Sequence, residues 1–579
     1  MTFIRLQYAW RQIGRSVMLL IRLAKILVTG NFKPIPYSIR IGVTGHRRLD
    51  DPIAMQAAVR RAIDSEVGKL FSTKSKANVS ISYRVLSALA EGADRIAARA
   101  VLEYPDARLD VVLPLTVEDY LEDFRTEESR LEFAELLGKC RHPVQLRSRR
   151  IREDRHDAGD QAELRRESYR RVGEYLVDHC DVLIAVWDGQ PARGQGGTGA
   201  VVQYAGEQDR PVIRVWGETI TVYNPGVDAA APDAIDRFNR QAITPERRAD
   251  YAKNLEEELF VKPPSAASLP AGVREMVRSN FLPYYVQASI AAKTNQNRFY
   301  RWGKYVYAFS AAAVGSAAIG VLIPSLAWLG FGFELVLLSA IAMTLWRGRR
   351  TQPHQNWIEN RFLTERIRCG IFMAICGVQP KPLEVLPFMG HSQSANDWMV
   401  RVFDEIWDRL PEVPGSGQGD WQLLKKYVEE AWIGDQVRFH REKSAKEKRA
   451  LRILTRAGEI VLPATMVAAA LHLALLWQVG GAGESAVGLG DWLHRGLSFV
   501  ALLFPAIAAS MAGMAAHREY RRLERRSENM AGELARLGKK MTSAEDRARF
   551  EELLQKVDAV LLQETQDWLM LMRYVEIKG

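Results

Sequence analysis

The chain has 579 residues, 47% of them hydrophobic, and its 79 Lys and Arg against 69 Asp and Glu give a net charge of +10 and a pI near 9.3. That length exceeds one typical domain and implies two or three separately cored units. The four cysteines, Cys140, Cys180, Cys369 and Cys376, form no CxxC pair and have no histidine at ligand spacing, which argues against a zinc site or a disulfide framework and for reduced thiols in a cytosolic setting.

In residues 1–36, apolar side chains are interleaved with Arg5, Arg11, Arg15, Arg22 and Lys25, and no small-residue cleavage site follows. The pattern predicts a basic amphipathic helix on a membrane surface or a partner helix, not a signal peptide. From 37 to 217, short apolar runs at 39–43, 79–83, 109–113, 182–187 and 212–216 alternate with amphipathic stretches. Such βα repetition predicts a Rossmann-like α/β fold, a doubly wound parallel sheet covered on both faces. The charge-rich stretch 147–171 reads as a solvated helix or loop, and 218–270 reads as a linker region.

The remainder predicts an all-α membrane region. In 271–410 an uncharged run interrupted by Pro324 divides into spans at about 305–323 and 327–346, and in 421–579 two more fall at about 460–479 and 496–516. A Pro- and Gly-rich linker, 411–420, separates these two-span units. Lys293, Arg298, Arg301 and Lys304 precede the first hairpin and Arg347, Arg349 and Arg350 follow it; Lys443 to Arg456 and Arg518 to Arg526 flank the second in the same way. Four transmembrane helices with both termini and the α/β domain cytoplasmic, in the inner membrane, satisfy this distribution, with Arg495 alone opposing it. The repeated order of helix, hairpin and helix suggests internal duplication. Because the basic residues crowd around apolar runs, the net charge points to the lipid bilayer as partner and away from nucleic acid. Small residues such as Ala311 to Ala313, Gly315 and Ser316 would let helices pack closely or assemble as a homo-oligomer. Glu334 and His472 are the polar side chains expected within the spans, each with a plain alternative, snorkelling to water or a bond to a neighbouring helix.

Three glycine-containing turns gather candidate chemistry at one edge of the expected sheet. The first strand runs into Gly42, Thr44, Gly45, His46 and Arg47; Glu91, Gly92 and Asp94 open a helix after the second strand; Asp188 and the loop ending in Gly196, Gly197, Thr198 and Gly199 follow the strand at 182–187. Glycines at strand ends let backbone amides approach a phosphate, and arginine neutralises it, although no Walker motif is present.

On these residues, together with Tyr120 and Phe124 after a Leu-Pro, the stretch 37–217 resembles the SLOG superfamily, which includes cytokinin-activating phosphoribohydrolases, DNA-processing proteins and bacterial defence sensors. The resemblance implies a nucleotide-binding domain whose Gly-rich loop holds phosphate. Phosphoribohydrolase members carry paired glutamates after that loop, where this chain has Val202 and Gln203. A neutral amide cannot transfer the proton or stabilise the cationic transition state of glycosidic hydrolysis, so the site reads as a sensor, with no catalytic residue assigned. The stretches 270–378 and 425–579 resemble SLATT domains, two-span effector units for which pore formation or membrane disruption is proposed. Together the resemblances imply a ligand-gated membrane effector in antiphage defence, answering a nucleotide second messenger such as a cyclic nucleotide or an ADP-ribose derivative, with no bound cofactor and no metal. A membrane-anchored nucleotide-cleaving enzyme, with Glu91, Asp94 or Asp188 as substitute carboxylates, and a non-enzymatic membrane scaffold are the alternatives.

Overall fold

The computed structural model describes residues 32–72, 77–141, 143–147, 158–191, 196–226, 230–380, 394–411, 420–479 and 489–572. The expected N-terminal helix lies outside the described residues, apart from 32–36, as do most of the 411–420 linker and Gly194 and Gln195 of the Gly-rich loop. By their contacts the described residues form two compact units. One comprises 33–240 with the described part of 384–405, and the other comprises described parts of 241–383 and 406–579.

The first unit is built on seven strands: β1 (Tyr37–Gly45), β2 (Ile81–Ser87), β3 (Arg108–Leu113), β4 (Val144–Gln145), β5 (Val182–Val186), β6 (Val212–Trp216) and β7 (Thr219–Tyr223). They lie in the order β4-β3-β2-β1-β5-β6-β7, all parallel except β7, which turns back on β6. β5 is buried at every position, as a central strand covered on both faces must be, and its Val-Leu-Ile-Ala-Val sequence suits it. Helices α1 (Pro52–Ala62), α2 (Ala93–Leu102), α3 (Glu127–Lys139), α4 (Ala158–His179) and α5 (Thr198–Glu207) connect the strands. Since the chain steps outward from β1 to β4 and then restarts with β5 on the opposite side of β1, the topological switch point falls between β1 and β5.

Several expected boundaries shift. β2 runs later than 79–83 because Arg84, which interrupts the apolar run, is buried in the strand and pairs with Asp110 of β3 at 3.0 Å. The described residues of the expected 218–270 linker, 218–226 and 230–270, contain β7 and helices α6 (Ala230–Asn239) and α7 (Pro245–Glu256). Residues 394–405, grouped by sequence with the first hairpin, cluster instead with the sheet.

The second unit is helical. Its principal elements are α8 (Leu282–Leu322), α9 (Ala327–Thr351) and α10 (Pro353–Cys376), then, after α11 (Ser394–Asp408), α12 (Asp435–Val479), α13 (Leu489–Arg518), α14 (Tyr520–Thr542) and α15 (Arg547–Met572). Among the described residues four helices are long and apolar enough to cross a membrane, and the candidate stretches fall in Leu282–Leu322, Pro324–Thr351, Trp421–Leu475 and Trp492–Thr542. Their large side chains, including Trp328, Phe333, Ile460 and Trp477, stand exposed. An apolar surface of that extent is compatible with a membrane protein, since water would penalise it.

The two halves share a detail that hydropathy does not reveal. Each second span ends at a non-glycine residue in the left-handed region, Gln352 at φ 42° and Glu519 at φ 50°, and a new helix starts at the next residue. In each half the helix leading in packs on the helix leading out, α8 on α10 and α12 on α14. The hairpins also pack on each other, α8 against α13, where a Cβ on Gly513 would lie 2.4 Å from the Tyr307 ring. Only glycine admits that approach. Glu334 is half-buried in α9, and the His472 ring of α12 meets the His494 ring of α13 edge-on at 4.5 Å, with Ser498 Oγ 3.4 Å from His472 Nδ1. His494 escapes the sequence reading because α13 begins before the expected span.

Candidate functional site

A cavity of about 420 Å³ opens just beyond the C-terminal ends of β1 and β5, at the switch point. Ten of the expected site residues line it: Thr44, Gly45, His46, Arg47, Asp94, Asp188, Gly196, Gly197, Thr198 and Gly199. Three do not. Gly42 faces Cys180 in the core, where a Cβ would come within 3.0 Å of the sulfur. The Glu91 carboxylate accepts a 2.5 Å hydrogen bond from Ser129 Oγ and so ties the β2–α2 turn to α3. Gly92 lies beneath the β1 turn at φ 80°, with the carbonyl oxygens of Arg47 and His46 at 2.4 and 2.6 Å from where a Cβ would stand.

The turn after β1 is held by its neighbours. The His46 amide donates to the Val186 carbonyl (3.1 Å), and the Ala93 amide donates to the His46 carbonyl (3.0 Å). His46 Nε2 lies 3.2 Å from both the Asp188 amide and Asp188 Oδ1, and the ring meets Trp216 edge-on at 5.3 Å. These contacts leave the exposed Arg47 beside the cavity, its guanidinium 5.6 Å from the centre of the Tyr169 ring. Across the cavity, α5 begins at Gly197 with no side-chain cap and no acidic residue in its first turn. Its first backbone bonds come from the Ala200 and Val201 amides to the Gly197 carbonyl, so the Thr198 and Gly199 amides remain as the positive end of the helix dipole. An arginine opposite free helix amides is an arrangement that binds phosphate or carboxylate.

Two buried polar groups complete the wall. The Tyr120 hydroxyl is fully enclosed and has no hydrogen-bond partner among the described residues, an arrangement that normally costs about 1–3 kcal/mol and that a ligand acceptor would relieve. Its pKa is pushed up by burial and by the nearby Asp94. The Asp94 carboxyl accepts a long bond from the Ala90 amide (3.3 Å), and burial raises its pKa to about 7 although backbone bonds from Ala90 and Ala88 and the charges of Arg47 and Arg95 pull the other way.

No protein-family model and no curated protein matches this chain.

Sequence reasoning missed four contributors to the site. Tyr169 and its neighbours on α4 line the cavity from a segment read as solvated, because the charged outer face of that helix masks an apolar inner stripe of Val172, Gly173 and Leu176. Arg214 on β6 holds the β5–α5 loop by donating to the carbonyls of Trp187 (3.0 Å) and Asp188 (2.8 Å). Trp187 lines the cavity and donates its indole N–H to the Gln190 carbonyl (2.8 Å). Buried Arg95 holds α3 in place through Glu132 (2.8 Å) and Ser129. The positions compared with the phosphoribohydrolase glutamates do not line the cavity. Val202 packs on the core beneath α5, and exposed Gln203 donates to Glu207 at 2.9 Å. Among the described residues, no group of three His, Cys, Asp or Glu side chains is placed to hold a metal ion.

The Asp94 carboxyl makes the site sensitive to pH. Its folded-state pKa of about 7 lies above the ordinary 3.8, so ionisation is the costly event. The stability this group supports is complete below pH about 4 and is lost as pH rises through 7. Asp94→Asn is therefore expected to stabilise the fold, and so raise the melting temperature, increasingly as pH goes from 5 to 7 and to level off above that, with an upper bound of about 4 kcal/mol on the stability gain. Thermal melts at several pH values check this, and parallel profiles for the two proteins would contradict it.

Proposed function

We propose that this protein is a ligand-gated membrane effector. The cavity takes a nucleotide-derived messenger by its phosphate, and binding shifts the apolar hairpins, in a homo-oligomer, from a closed to a permeabilising arrangement. The observation that carries the reading is the meeting of Arg47, the free amides of α5 and the unpartnered Tyr120 hydroxyl in one cavity at the switch point, with four apolar helices in the same chain. The SLOG-like and SLATT-like motifs support it and suggest bacterial antiphage defence at the inner membrane as the setting. Sensing is favoured over cleavage because Val202 and Gln203 leave the helix after the Gly-rich loop without a carboxylate facing the ligand.

Asp94 favours one rival, a membrane-anchored nucleotide-cleaving enzyme, since a buried carboxyl with a pKa near 7 is suited to proton transfer. The two readings separate when the purified chain is incubated with nucleoside monophosphates, cyclic nucleotides and ADP-ribose derivatives. A sensor binds one of these ligands and returns it intact, whereas an enzyme releases free base. Arg47→Ala is expected to weaken the binding by about 10–100-fold, the loss of a charge-assisted contact worth roughly 1.5–3 kcal/mol. Titration calorimetry measures it, and unchanged affinity would remove the phosphate-binding role of Arg47.

A further inference from the structure

The helical unit has its own cavity, about 500 Å³, where α8, α10, α12 and the α13–α14 junction converge at the basic end of the hairpins. Seven basic side chains line it against one carboxylate, Glu447. Arg301 comes from α8, Lys443 and Lys446 from α12, and Arg518 from the end of α13, so helices distant in sequence bring like charges around one concavity. None of these four lies within ion-pair distance of a carboxylate among the described residues, although Glu447, which lines the cavity, and Glu365 and Glu564 beyond it are near enough to act on Lys443. The Arg518 guanidinium is instead held 4.7 Å over the centre of the Tyr300 ring, and the buried Trp357 contributes to the wall.

Basic residues that merely obey the charge bias of membrane loops have no reason to converge, since spreading outward lowers their mutual repulsion. Concentrating them in a semi-enclosed space is unfavourable unless an anion occupies it. We infer that this cavity is a second anion site, which takes a phosphate group carrying two or more negative charges, from an anionic lipid headgroup or from a soluble phosphate. The planar guanidinium of Arg518 can form paired bonds to phosphate oxygens, and the lysines supply charge without directional demand. The site belongs to the helical unit and is independent of the messenger reading for the α/β cavity.

The test uses the full chain in an uncharged detergent and in nanodiscs of phosphatidylcholine with and without phosphatidic acid. Melting temperature is followed against inorganic pyrophosphate in detergent and against phosphatidic acid content in nanodiscs, at constant ionic strength set with chloride. Stabilisation by pyrophosphate identifies a soluble phosphate, and stabilisation by phosphatidic acid alone identifies a lipid headgroup. In either case Lys446→Gln with Arg518→Gln should raise the half-saturating concentration at least tenfold. Lys446→Arg, which keeps the charge, should not, and Lys540→Gln, an exposed lysine on α14 outside the cavity, should leave the response intact. If neither anion stabilises the wild-type chain beyond the chloride control, or if the Lys446→Gln, Arg518→Gln protein stays folded and responds as wild type does, the inference is wrong.

Discussion

Gly92→Ala is expected to lower the melting temperature of the α/β unit by about 6–12 °C, the equivalent of roughly 3 kcal/mol for a domain of this size. The added Cβ meets the Arg47 carbonyl oxygen at 2.4 Å and the His46 carbonyl oxygen at 2.6 Å, and both are backbone atoms that cannot rotate away. The backbone at Gly92, φ 80° and ψ −118°, also lies where only glycine is at ease. Relief requires lifting the turn after β1, which breaks the bond from the Ala93 amide to the His46 carbonyl and moves Arg47 from the cavity. Ligand affinity should therefore fall by about tenfold or more, along with stability. A variant that melts and binds like the wild type would show that the turn is not constrained in this way.

Arg401→Ala is expected to cost about 3 kcal/mol, at the low end for breaking a buried pair. Arg401 on α11 makes two bonds to the Asp181 carboxylate, 2.6 and 2.8 Å, with both side chains nearly enclosed, and a further bond to the Ser38 carbonyl at 2.9 Å. Asp181 also accepts from the Arg40 amide at 2.8 Å, which partly compensates its charge and places the cost at that low end. The more exposed Arg40–Asp404 pair should contribute less than about 1 kcal/mol, so Asp404→Ala is the internal control. These contacts fasten α11 at the N-terminal ends of β1 and β5, the sheet edge opposite the cavity, while in sequence α11 comes after α10, the helix that leads out of the first hairpin. If α11 carries the ligand signal, Arg401→Ala should leave binding at the cavity within a few-fold of wild type while abolishing the ligand response of the membrane region. Denaturant unfolding gives the stability change, and a loss below 1 kcal/mol would refute the buried-pair account.

The parallel sheet was legible because its central strands are continuous apolar runs between glycine and aspartate turns, and the hairpins because charge is absent for some twenty residues at a time. β7 carries a usable signal, the β-branched run Thr219 to Val222 after Gly217, within a stretch whose prolines and glycines otherwise read as linker. The placement of α11 carried none, since an amphipathic helix with Arg401, Asp404 and Glu405 does not state which arginines and carboxylates it will meet. In the site, the glycines, Arg47 and Asp94 could be read from turns at strand ends. Tyr169 and Arg214 could not, one because a charged face hid it and the other because an arginine within a strand looks like ordinary surface. Gly42, Glu91 and Gly92 belong to the same turns yet support the cavity from behind, a distinction that depends on how each turn packs on its neighbours.

If this protein is a ligand-gated effector, ligand binding at the α/β cavity changes the permeability of a membrane that contains it. Ion leakage from liposomes loaded with the purified full chain, measured with and without cyclic nucleotides and ADP-ribose derivatives, tests it most directly. Leakage is expected with a ligand that also binds the chain in solution, and it should be lost in Arg47→Ala. No leakage with any bound ligand, despite verified insertion, would contradict it.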